Sequence, residues 1–170
     1  MSNFFYLYFL CPVTCDCWRS RSRSPHLGGW TYTRGRVDAL DFQTDGDVIL
    51  LGYRLWGVSN YWRWTSFRVT FGLYRAGNLI AEKTGYYTTS KDKKTFKVLF
   101  SQGISIRAGV RYTATAKITT EYLSFYHDDG MSNISCSNVT VTFKSSSRSS
   151  NASGVSRGQI PALILNSSQC

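Results

Sequence analysis

Proline is scarce in this chain. Three residues in 170 are too few for a proline-rich linker or recognition arm. Histidine is scarcer still, at two. A Ser-His-Asp hydrolase needs a histidine held between a nucleophile and a carboxylate. His127 adjoins Asp128 and Asp129, and adjacent residues cannot orient one another in that way. No G-x-S-x-G elbow is present either. Neither a P-loop nor a G-x-G-x-x-G after a strand is found, so no phosphate cradle is expected. Glu121, Asp128 and Asp129 could supply a glycosidase carboxylate pair, but they read more simply as an acidic loop tip. No stretch reaches the ~20 apolar residues of a spanning helix, so no membrane insertion is expected. The apolar run Phe4–Leu10 lacks a basic segment before it and a clean small-x-small site after it.

Cysteine is present but poorly arranged for the usual uses. Cys11, Cys15, Cys17, Cys136 and Cys170 are an odd, clustered set, unlike a disulfide framework. Cys11, Cys15, Cys17 and His26 are spaced C-x3-C-x-C-x8-H, which matches no common zinc finger. The expectation is no metal, no cofactor and no RING-type chemistry.

What the chain does have is aromatic and β-branched material. Hydrophobic residues make up 42% and aromatics 15%, enough for a core and suited to pleated, half-buried surfaces. Period-two runs begin at Gly28. Val37–Phe42 and Asp47–Gly52 come first. Phe67, Val69, Phe71 and Leu73 then alternate with Arg68, Thr70, Gly72 and Tyr74. Phe96, Val98 and Phe100 form another set, as do Tyr112, Ala114, Ala116 and Ile118, and finally Val139, Val141 and Phe143. Arg75-Ala76-Gly77-Asn78 reads as a turn. No helical periodicity lasts three turns. The pattern predicts an all-β fold, an antiparallel β-sandwich or jelly roll of about ten or more short strands.

The net charge of +10 favours anionic partners, but the basic residues are scattered as on a solvated surface. Residues 1–27 read as a separate, disordered basic leader holding the alternation Arg19-Ser20-Arg21-Ser22-Arg23-Ser24-Pro25. Tyr61-Trp62-Arg63-Trp64 is the most suggestive local run, because Trp, Tyr and Arg dominate interface hot spots. If it is a loop, it is a binding surface. If it is strand, Trp62 and Trp64 share a face and belong to the core.

Near the C-terminus, Ser150-Asn151-Ala152-Ser153-Gly154-Val155-Ser156-Arg157-Gly158-Gln159-Ile160-Pro161 resembles the closing signature of the PHR domain, S-x-N-G-T-x-V-x-x-G-Q-I-P-E. Further blocks match in order: Trp30-Thr31-Tyr32, Val37 to Phe42, Asp45 to Gly57, Phe96 to Phe100, Tyr112 to Ala116 and Leu123 to Met131. The resemblance covers about residues 28–165, leaving 1–27 as leader and 166–170 as tail, and is nearest to the proteins that join a BTB/POZ domain to a PHR domain. Arg54 stands where that family usually has glycine, Ala162 where it has glutamate, and the Trp-rich run is not the usual family sequence.

The resemblance implies a non-catalytic, cytoplasmic domain that binds other proteins. Those would be substrates or adaptors of a cullin-3 type ubiquitin ligase, with the BTB part holding the cullin. No BTB or BACK region precedes it in this sequence, so cullin binding is not expected of this chain itself. The candidate partner-binding residues are Tyr61, Trp62, Arg63, Trp64, Tyr126, His127, Asp128 and Asp129. Two alternatives stand beside this. One is a basic module for single-stranded nucleic acid, drawn from the charge and the Trp/Arg run. The other is a secreted jelly-roll lectin or hydrolase, drawn from the apolar leader and the sequons at Asn133, Asn138, Asn151 and Asn166.

Overall fold

The computed structural model describes residues 13–32, 35–60, 64–90 and 92–167. Among them are twelve strands and no α-helix, as the period-two runs predict. They are β1 Val13–Trp18, β2 His26–Trp30, β3 Asp38–Thr44, β4 Val48–Trp56, β5 Thr65–Arg75 and β6 Asn78–Thr89, then β7 Thr95–Ile106, β8 Tyr112–Thr119, β9 Ser124–Tyr126, β10 Asn133–Cys136, β11 Val139–Ser145 and β12 Ala162–Ser167. No helix among the described residues is long and apolar enough to cross a membrane.

Two antiparallel sheets face each other. One has the order β1-β12-β4-β7, the other β10-β11-β3-β8-β5-β6, and β2 with β9 forms a small third sheet. Alternation sets the core. In β5, Phe67, Val69, Phe71 and Leu73 turn inward, while Ser66, Arg68 and Thr70 turn out. Ala114, Ala116 and Ile118 of β8 and Val141 and Phe143 of β11 join them from the same sheet. Across the core stand Leu50, Tyr53 and Leu55 of β4, Val98 of β7 and Leu163 and Leu165 of β12.

β4 changes phase midway. Val48 and Leu50 point inward, and then Tyr53 and Leu55 do, because β4 carries one extra residue, Leu51, between the Leu50↔Leu165 and Gly52↔Ile164 pairs with β12. Glycine is required there. A Cβ on Gly52 would lie 2.0 Å from the Val98 carbonyl oxygen. The β5–β6 hairpin turns on Ala76 and Gly77, with φ of 49° and 83°. Two left-handed residues match the twist of paired strands in a two-residue loop.

The expected boundary at residue 28 does not hold. β1 pairs with β12 residue for residue, from Val13↔Ser167 to Trp18↔Ala162. The leader therefore supplies an edge strand, and residues 166 and 167 belong to β12 rather than to a tail. Residues 1–12 and 168–170 lie outside the described residues. Pro161 precedes β12, which lies between β1 and β4, and its carbonyl accepts from Arg19 N at 2.9 Å.

Candidate functional site

The C-terminal signature folds back onto the earlier matched blocks. Ser150 N donates to the Val37 carbonyl at 2.9 Å, and Ser150 Oγ accepts from Val37 N at 2.9 Å. Asp38 is fully buried and receives Trp30 Nε1 (3.3 Å), Asn151 Nδ2 (3.1 Å) and Ser153 Oγ. Burial raises its pKa to about 6, and the bonds from Ser153, Asn151 and Trp30 hold it from going higher. Gln159, also buried, donates to Ser124 Oγ at 2.6 Å and to the Phe125 carbonyl. Its side-chain amide thus satisfies a backbone group. Asn151 spends its amide on Asp38 inside the protein, so the sequon there cannot carry a glycan in this fold.

These latches position one end of the sandwich. Phe125 N donates to the Gly57 carbonyl, Ser59 N to the Leu123 carbonyl and Leu123 N to Asn60 Oδ1, each at 2.9 Å. The segment leading into residues 61–64 is thereby bonded to the segment leading into residues 126–129. The two runs chosen as candidates from sequence are neighbours at their roots. Beside them opens a cleft of about 460 Å³, lined by Tyr32, Phe67, Thr119, Glu121 and Tyr122 among others.

Tyr61, Trp62 and Arg63 lie outside the described residues. Trp64 precedes β5 and is 64% exposed, with the Lys93 ammonium 5.9 Å from its ring centroid. For Trp64 the core alternative is therefore excluded. Tyr126 is half-buried in an aromatic strip, its ring 5.5 Å from His26 and 5.1 Å from Trp30, with the Arg157 guanidinium 5.9 Å from Trp30. Asp128 sits 2.9 Å from His26 Nε2, and both are about half exposed. Asp129 turns the other way. It accepts from Ser20 Oγ (2.9 Å) and Ser22 N (2.6 Å), tying down the serine-arginine segment. Partial burial pushes its pKa up, but the bonds from Ser22 and Ser20 outweigh this and leave it lowered.

His127 is a correction. It was expected on the binding surface, but it is buried, with Trp56 Nε1 donating to its Nδ1 at 3.0 Å. Burial and the nearby Arg19 cation lower its pKa to about 3, against the pull of Asp129 and the Gly158 backbone. It is neutral at physiological pH and its Nδ1 is already occupied. A period-two reading of Tyr126 and His127 would have put them on opposite faces, and this was the signal available.

Sequence reasoning missed the roles of Arg19 and Arg54. Arg19 was read as part of a solvated basic leader. It is buried and donates from Nε to the Ile160 carbonyl at 2.7 Å and from its guanidinium to the Val155 carbonyl. Burial lowers its pKa to about 9, opposed by Asp129, so it stays cationic. Arg54 reaches Asp16 with Nε at 2.8 Å and with a terminal nitrogen at 2.7 Å, donates to Thr95 Oγ1 at 3.0 Å and lies 5.4 Å from the Trp18 ring centroid. The departure at position 54 and the unusual leader thus fit one another.

A sandwich of a four- and a six-stranded sheet among the described residues, closed by its C-terminal signature, with an aromatic strip beside it, defines the class. The chain belongs to the PHR domain family, whose pattern matches residues 20–166. It is similar to BTB/POZ domain-containing protein 6-A of Danio rerio (34% identity) and to BTB/POZ domain-containing protein 3 of Homo sapiens (33%). Each alignment covers 88% of this chain but only 27% and 28% of the relative, so the chain spans about a quarter of those proteins. The family match begins eight residues before the boundary read from sequence, and β1 adds a strand ahead of it.

Proposed function

We propose that this domain is a non-catalytic protein-recognition module that recruits substrates or adaptors for a cullin-3 type ubiquitin ligase in the cytoplasm. The observation that carries the reading is that Trp64, Tyr126 and Asp128 are all exposed or half-exposed, on segments joined by hydrogen bonds. Exposed or half-exposed aromatics beside charged groups on a braced framework are the makings of an interface hot spot. The non-catalytic part is supported by the engagement of both members of the His127 and Asp128-Asp129 set with other groups. His127 is buried and bonded to Trp56, Asp129 holds the Ser20–Ser22 segment, and Asp128 pairs with His26. The ligase part rests on the BTB/POZ relatives.

The test is affinity capture from lysate with the chain and with a Trp64→Ala/Tyr126→Ala variant, read by quantitative mass spectrometry. A defined set of proteins, with cullin-3 recovered through a BTB-containing protein, should drop in the variant while its melting temperature stays close to the parent's. Equal recovery of the same set by both would refute the site. A second reading has its own observation: a groove of about 520 Å³ is lined by Arg75, Arg111 and Arg148, which suits an anionic partner. Binding of single-stranded RNA that falls steeply with salt would favour it. No binding at low salt would exclude it.

A further inference from the structure

Cys15 and Cys17 are two residues apart on β1, so their side chains share one face. That face meets Cys136 at the end of β10, the edge strand of the opposite sheet. The three Sγ atoms all lie within 4.8 Å of one another. Cys17 and Cys136 are buried and joined as a disulfide across 119 residues of sequence, a pairing the cysteine count did not predict. Cys15 is half-buried, a free cysteine with its Sγ 3.3 Å from that of Cys136. A staple between two edge strands needs two sulfurs. The third converges on the same point and needs a reason of its own.

We propose that in the reduced protein Cys15, Cys17 and Cys136 form a trithiolate site for a soft d10 ion such as Zn2+. The Cys17–Cys136 disulfide is then the metal-free, oxidised state. Tetrahedral zinc with Zn–S bonds of about 2.3 Å places its sulfurs about 3.8 Å apart. The 3.3 Å between Cys15 and Cys136 and the 4.8 Å outer limit bracket that spacing. Once a thiol reductant has supplied two electrons, and two protons have been taken up, to turn the disulfide into two thiols, small side-chain rotations open that pair, and the ion displaces the thiol protons on binding. Three thiolates select soft ions over magnesium or calcium and leave one coordination position for an outside ligand. Access runs past the half-buried Cys15. A reducing compartment keeps such thiols reduced, and a bound ion would then replace the disulfide as the link between β1 and β10. His26 is not a member of the cluster, because it pairs with Asp128.

The experiment uses the full chain with Cys11 and Cys170 changed to Ser, which leaves only the three cysteines of the cluster. The protein is reduced, freed of reductant without oxygen and titrated with Co2+, which is then displaced by Zn2+ in competition with a chromophoric chelator. The expected result is a thiolate-to-cobalt charge-transfer band saturating at one equivalent. Each of Cys15→Ser, Cys17→Ser and Cys136→Ser should weaken binding by more than about tenfold, the loss that removal of even an outer-sphere partner can cause. Cys15→Ser is the deciding variant. It leaves the disulfide intact, so its oxidised form should melt with the parent and show that the fold is sound. Absence of the band in the reduced parent overturns the proposal. So does undiminished affinity in Cys15→Ser, or equal thiolate binding by the oxidised parent.

Discussion

Asp38 offers the sharpest test of the closing latch. Its carboxyl is fully buried, and its pKa is about 6 against an ordinary 3.8. For an acid, a raised folded-state value means that the fold prefers the neutral form. The stability this gives is complete below the unfolded pKa and is lost as pH rises from about 3.8 through about 6. Two units correspond to ~3 kcal/mol, an order-of-magnitude figure. The groups facing Asp38 are Trp30 Nε1, Asn151 Nδ2 and Ser153 Oγ, with Tyr32 close enough to feel its charge. Asp38→Asn removes the ionisation. It keeps one oxygen for Trp30 and Ser153, and rotation of the Asn151 amide can turn an acceptor toward the new NH2 group. The assay is urea unfolding of both proteins, followed by tryptophan fluorescence, from pH 4 to pH 7.5. The stability of the parent minus that of Asp38→Asn should fall by ~3 kcal/mol between pH 4 and pH 7. A difference that stays flat with pH would refute a buried, ionising Asp38.

His127 should act in the opposite direction. Its folded pKa is lowered to about 3, so the stability it gives is full above about pH 6.5 and is lost as pH falls toward 3. His127→Asn keeps an acceptor for Trp56 Nε1, and its unfolding free energy should fall less steeply across that window than the parent's; an unchanged slope would count against the assignment. Gly52→Ala forces a Cβ against the Val98 carbonyl and should cost about 3 kcal/mol in chemical denaturation, the upper range for overpacking. Ala76→Asn puts a residue that tolerates the left-handed region at φ 49°, and should raise stability by up to ~1 kcal/mol in the same assay.

Local pattern was enough to define the strands and their faces. Phe67, Val69, Phe71 and Leu73 can bury one side of a strand only by alternating, and no other regular structure accommodates that spacing. The matched blocks also carried the family. Local pattern could not say which distant residues meet. Asp38 finds Asn151 and Ser153 because the chain returns after more than a hundred residues, and no period-two count encodes that return. The same holds for β1. Its six-pair ladder and the convergence of its two sulfurs with that of Cys136 depend on β12 and β10 arriving beside it. Arg19 looked like an ordinary solvated cation and Arg54 like a bare departure from the family pattern, yet one is enclosed by carbonyls of the C-terminal segment and the other is fixed by Asp16. The sequence by itself determined an all-β domain of the PHR family with an aromatic candidate surface. Only the tertiary structure decided that residues 13–18 are part of the sheet, that His127 lies beneath the surface while Trp64 stands on it, and that three cysteines share one point. The physical reason is that side-chain alternation is a property of neighbours in sequence, whereas burial, pairing and convergence depend on how distant strands pack.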